Sequence, residues 1–144
     1  MNYFEMKLLA KSKNEAFARN VVASFAIECS PTFISPKKEI NDIKTAVSEA
    51  VTNVVVHAYD KKEDGIMQIE CRVFEDERTV EIVVRDFGKG IEDVKEAIEP
   101  FFTTAEDDER SGMGFTIIQT FMNEMEVTSI KGEGTVVTMK KVLK

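Results

Sequence analysis

IMQIECRVFEDERTVEIVVRDFGKG, residues 66–90, is the stretch that decides the architecture. Two runs of alternating apolar residues, IMQIECRVF and TVEIVVRD, flank the charged turn EDER, which is the pattern of two strands joined by a tight connection. Met67, Ile69, Cys71 and Val73 share one face of the first strand, and Val80, Ile82 and Val84 share one face of the second. A strand with a single apolar face needs a second layer to cover it. The run then closes on DxGxG, with Asp86 ending the strand and Gly88 and Gly90 letting the backbone turn sharply.

Working outward, NYFEMKLLAK alternates as a first strand, and SKNE from Ser12 to Glu15 reads as a capping box opening a helix. Phe17, Val21, Val22, Phe25, Ala26 and Cys29 recur at helical spacing, which predicts a helix over residues 13–29 ending at Ser30-Pro31. Ser35-Pro36 supplies an N-cap followed by a proline in the first turn of a second helix, which runs to about Tyr59. Beyond the opening stretch come a short helix around IEDVKEAI closed by Pro100, and the polar segment TTAEDDERSGMG. A helix over FTIIQTFMNEM follows, with Ile117, Ile118, Phe121, Met122 and Met125 on its buried stripe, then the hairpin EVTSI, KGEG, TVVTMKKV. Tight turns between neighbouring strands predict an α+β fold. It is a two-layer α/β sandwich, its mixed and mostly antiparallel sheet carrying the helices on one face.

Composition narrows the function classes. The 144 residues, 43% hydrophobic, suit a single domain spanning 1–144. No apolar leader or spanning run is present, so the expectation is a cytoplasmic protein with no membrane partner. A net charge of −7 argues against direct nucleic-acid binding and suits a basic protein partner. Cys29 and Cys71 lack CxxC or Cys/His spacing and read as two buried thiols, neither a disulfide nor a zinc site.

Three constellations carry chemistry. On the second helix, Ile43, Val47, Ala50, Val51, Val54 and Ala58 gather on one side, while Glu49 and Asn53 fall opposite among Thr45, Thr52 and Val56. That second face is too neutral to be plainly solvated, so something covers it. Glu49 and Asn53 either cap a neighbouring element or project together into a cleft as a general base and an oxygen ligand for magnesium. DxGxG arises by chance in about 3% of chains this long, and by itself is as well explained by a strand-ending turn. Asp86-Phe87-Gly88 is not the metal-holding triplet of protein kinases, since no HRD loop, upstream glycine-rich loop or VAIK strand accompanies it. In ERSGMGF, Gly112 and Gly114 before a helix either form a turn or present backbone N–H groups to phosphate beside Arg110. The acidic run 106–109 is a solvated loop or a lid.

The order of these pieces resembles the N, G1 and G2 boxes of the ATP-binding domain shared by gyrase, Hsp90, histidine kinases and MutL, which implies a Bergerat-type fold. The stretches NEAFAR, VASF, VSEAVTN, FFTT and ERSGMGFTI further resemble the anti-sigma F factors of sporulating bacteria, the stage II sporulation AB family, from about residue 5 to the C-terminus. One departure is Ala58, where members usually carry glycine after the histidine.

The resemblance implies an ATP- and magnesium-dependent serine kinase that holds a sigma factor inactive and phosphorylates an anti-anti-sigma protein. Glu49 would be the general base and Asn53 the magnesium ligand. Asp86 would select adenine, Gly88 and Gly90 making room for it and Phe87 serving only in packing. Gly112 and Gly114 would line the triphosphate, with Arg110 near the phosphates and Thr103 and Thr104 at the start of the lid. Arg19 would contact both protein partners, and a homodimer is expected. His57 reads as a packed residue, because an acceptor-histidine domain is missing. A competing reading is a nucleotide-gated binding module with vestigial transfer, and a third is a stress-response relative acting on another sigma factor.

Overall fold

The computed structural model describes residues 1–30, 36–99 and 114–144. In chain order its elements are β1 (Asn2–Leu9), α1 (Asn14–Cys29), α2 (Lys37–Asn53), a π-helical turn (Val54–Ala58), β2 (Ile66–Phe74), β3 (Thr79–Asp86), α3 (Val94–Ile98), α4 (Gly114–Phe121), β4 (Glu124–Ile130) and β5 (Gly134–Val142). The strands form a five-stranded sheet in the order β1-β2-β3-β5-β4.

The opening stretch folds as its alternation dictates. Glu77 N donates to Phe74 O across the charged turn, and β2 and β3 pair antiparallel from Phe74↔Thr79 to Met67↔Asp86. Met67, Ile69, Cys71, Val73, Val80, Ile82 and Val84 are buried under the helices, each no more than 1% exposed. The sheet is stricter than expected, for every pair of neighbouring strands is antiparallel. The chain runs β4 along the far edge and returns through the hairpin, so β5 enters between β4 and β3 and opposes both.

Helix α2 lies at the centre of the helical layer, with α1 on one flank and α4 on the other. Its predicted apolar side, Ile43, Val47, Ala50, Val51, Val54 and Ala58, is buried throughout. The α-helix stops at Asn53, however, and the last five residues before Tyr59 form the π turn, where Val54 N reaches both Ala50 O and Val51 O. Pro36 occupies the cap position itself rather than the first turn, and Ser35 lies outside the described residues.

Three local expectations fail for tertiary reasons. The Ser12 capping box does not form: Lys13 is the N-cap with no side-chain bond, and Glu15 turns instead to Arg19 and to Ser48 of α2. The face that α1 buries is narrow, made of Ala18, Val22, Ala23 and Ala26, while Phe17 stays 53% exposed and Phe25 meets Phe4 edge-on with ring centroids 4.8 Å apart. The last helix ends at Phe121, not Met125, because Asn123 N donates to Lys140 O and Asn123 Oδ1 accepts from Val142 N, drawing the chain into β4.

A buried lysine locks the layers together. Lys141 stands on the inner face of β5, where its Nζ lies 2.9 Å from Asp42 Oδ2 of α2 and also donates to Phe121 O, the last residue of α4. Burial raises the Asp42 carboxyl, but hydrogen bonds and charges from Lys141 and Lys38 outweigh it and hold it below its ordinary value. A buried ion is tolerated only when paired in this way.

Candidate nucleotide site

Strand parity aims the first candidate residue. Asp86 continues the series 80, 82, 84, so its carboxylate points under the helices with the apolar side chains and is 7% exposed. Phe87 falls on the opposite parity. It is 52% exposed, which corrects its reading as a packing residue.

Asp86 Oδ1 accepts from Gly88 N at 3.0 Å and from Thr135 N of β5 at 3.3 Å. Oδ2 makes no hydrogen bond among the described residues, and Asp86 lines a cavity of about 610 Å³. Burial raises the Asp86 carboxyl above its ordinary value, and the two backbone donors offset part of that.

The loop after Asp86 is clamped from two sides. On one, Lys89 N donates to Ala58 O at 3.0 Å and Phe87 N to the Tyr59 hydroxyl at 2.8 Å. A side chain at Gly88 would run into the Ala58 carbonyl, which explains the glycine by close approach. On the other, Gly132 N donates to Lys89 O, and Ile91 N donates to Ser129 Oγ at 2.7 Å. Gly90 lines the cavity wall with φ 76°.

Asn53 faces the same cavity from α2, and Gly114, the first residue of α4, packs against it so closely that a Cβ there would lie 2.8 Å from Asn53 Oδ1. The cavity thus brings together Asn53, the Asp86–Gly90 loop and Gly114 from three distant parts of the chain. Glu49 sits one turn before Asn53, only 8% exposed, and is not part of the cavity wall. Arg19 lies further out, bonded to Glu15 and reaching Ser48, the neighbour of Glu49, at 3.4 Å. Thr103, Thr104, Arg110, Gly112 and the acidic run 106–109 lie outside the described residues.

The sequence reading missed Thr135 and misjudged His57. Thr135 stands on the inner parity of β5, a polar residue in an apolar series, and that was the available signal. His57 is half-buried and lines the cavity rather than the core. Cys29 is likewise only half-buried, whereas Cys71 is buried and its thiol is pushed up to about 12.

Among the described residues no cluster of three His, Cys, Asp or Glu side chains could hold a metal. Magnesium, by contrast, commonly takes only one or two protein oxygens and completes its shell with phosphates and water. The Asn53 amide offers that kind of oxygen.

Comparison with known proteins gives consistent results. A family described as "Histidine kinase-like ATPase domain" matches residues 10–141. Proteins named "Anti-sigma F factor" from Caldanaerobacter subterraneus and Clostridium novyi are 53% and 52% identical, over 99% of this chain and 94% and 96% of theirs. A further one, from Clostridium acetobutylicum, is 52% identical over 97% of this chain and 93% of its own. In fold, the chain is similar to nucleotide-free catalytic domains of the histidine kinase ThkA. Two such structures give TM-scores of 0.60 and 0.57 at 15% and 16% identity, each covering 99% of this chain and 97% of the other.

Proposed function

The chain belongs to the histidine kinase-like ATPase domain family, among the anti-sigma F factors, and on that premise we propose that it is an ATP-dependent protein serine kinase that sequesters a sigma factor and phosphorylates an anti-anti-sigma protein. The whole chain, 1–144, acts as one cytoplasmic unit.

One observation carries the reading: three functional groups succeed one another along a single helical axis. The Asp86 loop packs on Ala58 at the C-terminal end of the π turn, with Asn53 and then Glu49 further toward the N-terminus. At about 1.5 Å per residue, Asn53 and Glu49 are separated by about 6 Å along the axis. ATP laid along α2 with its base at Asp86 brings its phosphates beside Asn53 and the terminal one toward Glu49. Adenine's amino group donates to the unused Asp86 Oδ2. Asn53 supplies an oxygen to magnesium, which when bound neutralises charge on the phosphates. The substrate serine oxygen attacks the γ-phosphorus as the bond to the β-phosphate oxygen breaks; Glu49 takes the hydroxyl proton, and ADP leaves. Gly114, with Gly112, Arg110, Thr103 and Thr104, completes the phosphate end of the site.

The deciding experiment mixes the protein with γ-labelled ATP, magnesium and an anti-anti-sigma protein. Label should appear on a serine. Tight ATP binding and sigma capture with no transfer would leave a nucleotide-gated binding module in place of a kinase.

Adenine recognition by a buried carboxylate has a pH signature. Only the ionised form of Asp86 presents Oδ2 as a free acceptor, and burial raises its pKa in the empty protein. ATP affinity should therefore fall as the pH is lowered, starting above the ordinary carboxylate range, and binding in mildly acidic buffer should release protons. Calorimetry in two buffers of different ionisation enthalpy measures that release; uptake instead would count against this role.

A second copy of the chain covers the face formed by β1 and α1. Strand β1 is an edge of the sheet, unpaired on its outer side among the described residues, and beside it Phe4, Phe17, Val21 and Phe25 line an open apolar groove. Arg19 of the same helix is where the protein partners reach each protomer. Phe17→Glu should shift the protein to a monomer in sedimentation equilibrium, and a wild-type monomer would end the dimer assignment.

A further inference from the structure

We propose that Tyr59 is the positioning residue that sets the base-reading geometry of Asp86, by standing in for the last rung of the β2-β3 ladder. The ladder ends at Met67↔Asp86, and the next rung of the same register would bring Phe87 opposite Ile66. The Tyr59 hydroxyl occupies that place instead. It accepts from Phe87 N at 2.8 Å and donates to Ile66 O at 2.5 Å, so one oxygen relays the bond that the two strands would otherwise make directly.

The consequence is a change of direction. A direct Phe87-Ile66 rung would carry β3 straight on past Asp86. With a hydroxyl inserted, the strands part immediately after Asp86, and the chain bends so that Gly88 N reaches back to Asp86 Oδ1 at 3.0 Å and Lys89 N to Ala58 O. Both uses of the phenol oxygen, as donor and as acceptor, are taken up. Its ring is seated over Gly65, so the side chain is held at both ends. The π turn is what delivers it: Tyr59 directly follows Val54–Ala58, and such turns recur at functional sites. Tyr59 is not among the residues lining the cavity, so it acts through Asp86 and not on the ligand.

This inference rests on the reading of Asp86 as the adenine-selecting group, and the test separates the two. ATP and inosine triphosphate differ at the exocyclic 6-position, where adenine has the amino group that Asp86 would accept from. Tyr59→Phe removes only the hydroxyl and keeps the ring. The variant should bind ATP about tenfold more weakly while its affinity for inosine triphosphate stays the same, a loss confined to base selection. A purely structural role would lower both affinities together or lower only the thermal midpoint. If the wild type prefers ATP and Tyr59→Phe keeps the full preference, the positioning role is refuted. If the wild type itself has no preference, the assignment of Asp86 falls first and this inference with it. Amide hydrogen exchange gives a reading independent of ligand, with Phe87 scored against the other β3 amides so that a general loss of stability is discounted. The Phe87 N–H should be protected in nucleotide-free wild type and exchange at least about tenfold faster in Tyr59→Phe; an unprotected Phe87 amide in the wild type also refutes the relay.

Discussion

Glu49→Ala should leave ATP bound at close to wild-type affinity and cut phosphotransfer by about a thousandfold. The size follows from general-base catalysis, which is worth roughly 10² to 10⁴ in rate. Because the carboxylate sits one helical turn beyond Asn53 and outside the wall of the cavity, its loss removes a proton acceptor without removing a nucleotide contact. Glu49→Gln keeps the shape and should be equally impaired, which distinguishes a base from a residue that merely fills space. Single-turnover transfer of labelled phosphate, measured beside equilibrium ATP binding, makes the comparison. A collapse of ATP affinity with transfer still proceeding would show that Glu49 holds the nucleotide instead.

Asp86→Asn should weaken ATP binding by about a thousandfold, and do so with or without magnesium. The amide keeps an oxygen to accept from Gly88 N and Thr135 N, so the loop retains its support. At the Oδ2 position, however, it presents N–H groups to an adenine amino group, setting donor against donor at a buried position. Sites built around a buried hydrogen bond reject a mismatched partner by at least this factor, up to about 10⁴ to 10⁵. Titration with ATP in the presence and absence of magnesium checks the result. A change only in the magnesium dependence would give Asp86 a metal-holding role in place of adenine selection.

These two residues also show how differently parts of the site could be read. Asp86 was legible twice over, from the DxGxG spacing and from a strand parity that sends position 86 to the same face as Val80, Ile82 and Val84. Glu49 and Asn53 were legible as candidates because their helix face lacks the lysines of a solvated surface. Tyr59 carried no such signal. Its hydroxyl works between Ile66 and Phe87, seven and twenty-eight residues away, and no local pattern predicts a side chain standing in for a rung of the sheet. Lys141 is similar, since a lysine in an alternating strand reads as solvated until Asp42, ninety-nine residues earlier in the chain, is placed beside it.

By itself the sequence determined the strand hairpin, the order of the helices, the buried side of α2 and the presence of a helix carboxylate, a helix amide and a strand-ending aspartate. Those features depend on periodicity and on steric limits within a few residues, which are local by nature. Tertiary structure decided where the helices stop, which sides of α1 and Phe87 are left open, and that β5 enters between β3 and β4. It also decided that the Asp86 loop is held against the end of α2 by Ala58 and Tyr59. The placement of β5, the end of α4 and the seating of the Asp86 loop turn on hydrogen bonds between segments far apart in the chain, whose competition with local preference is settled only when the layers pack.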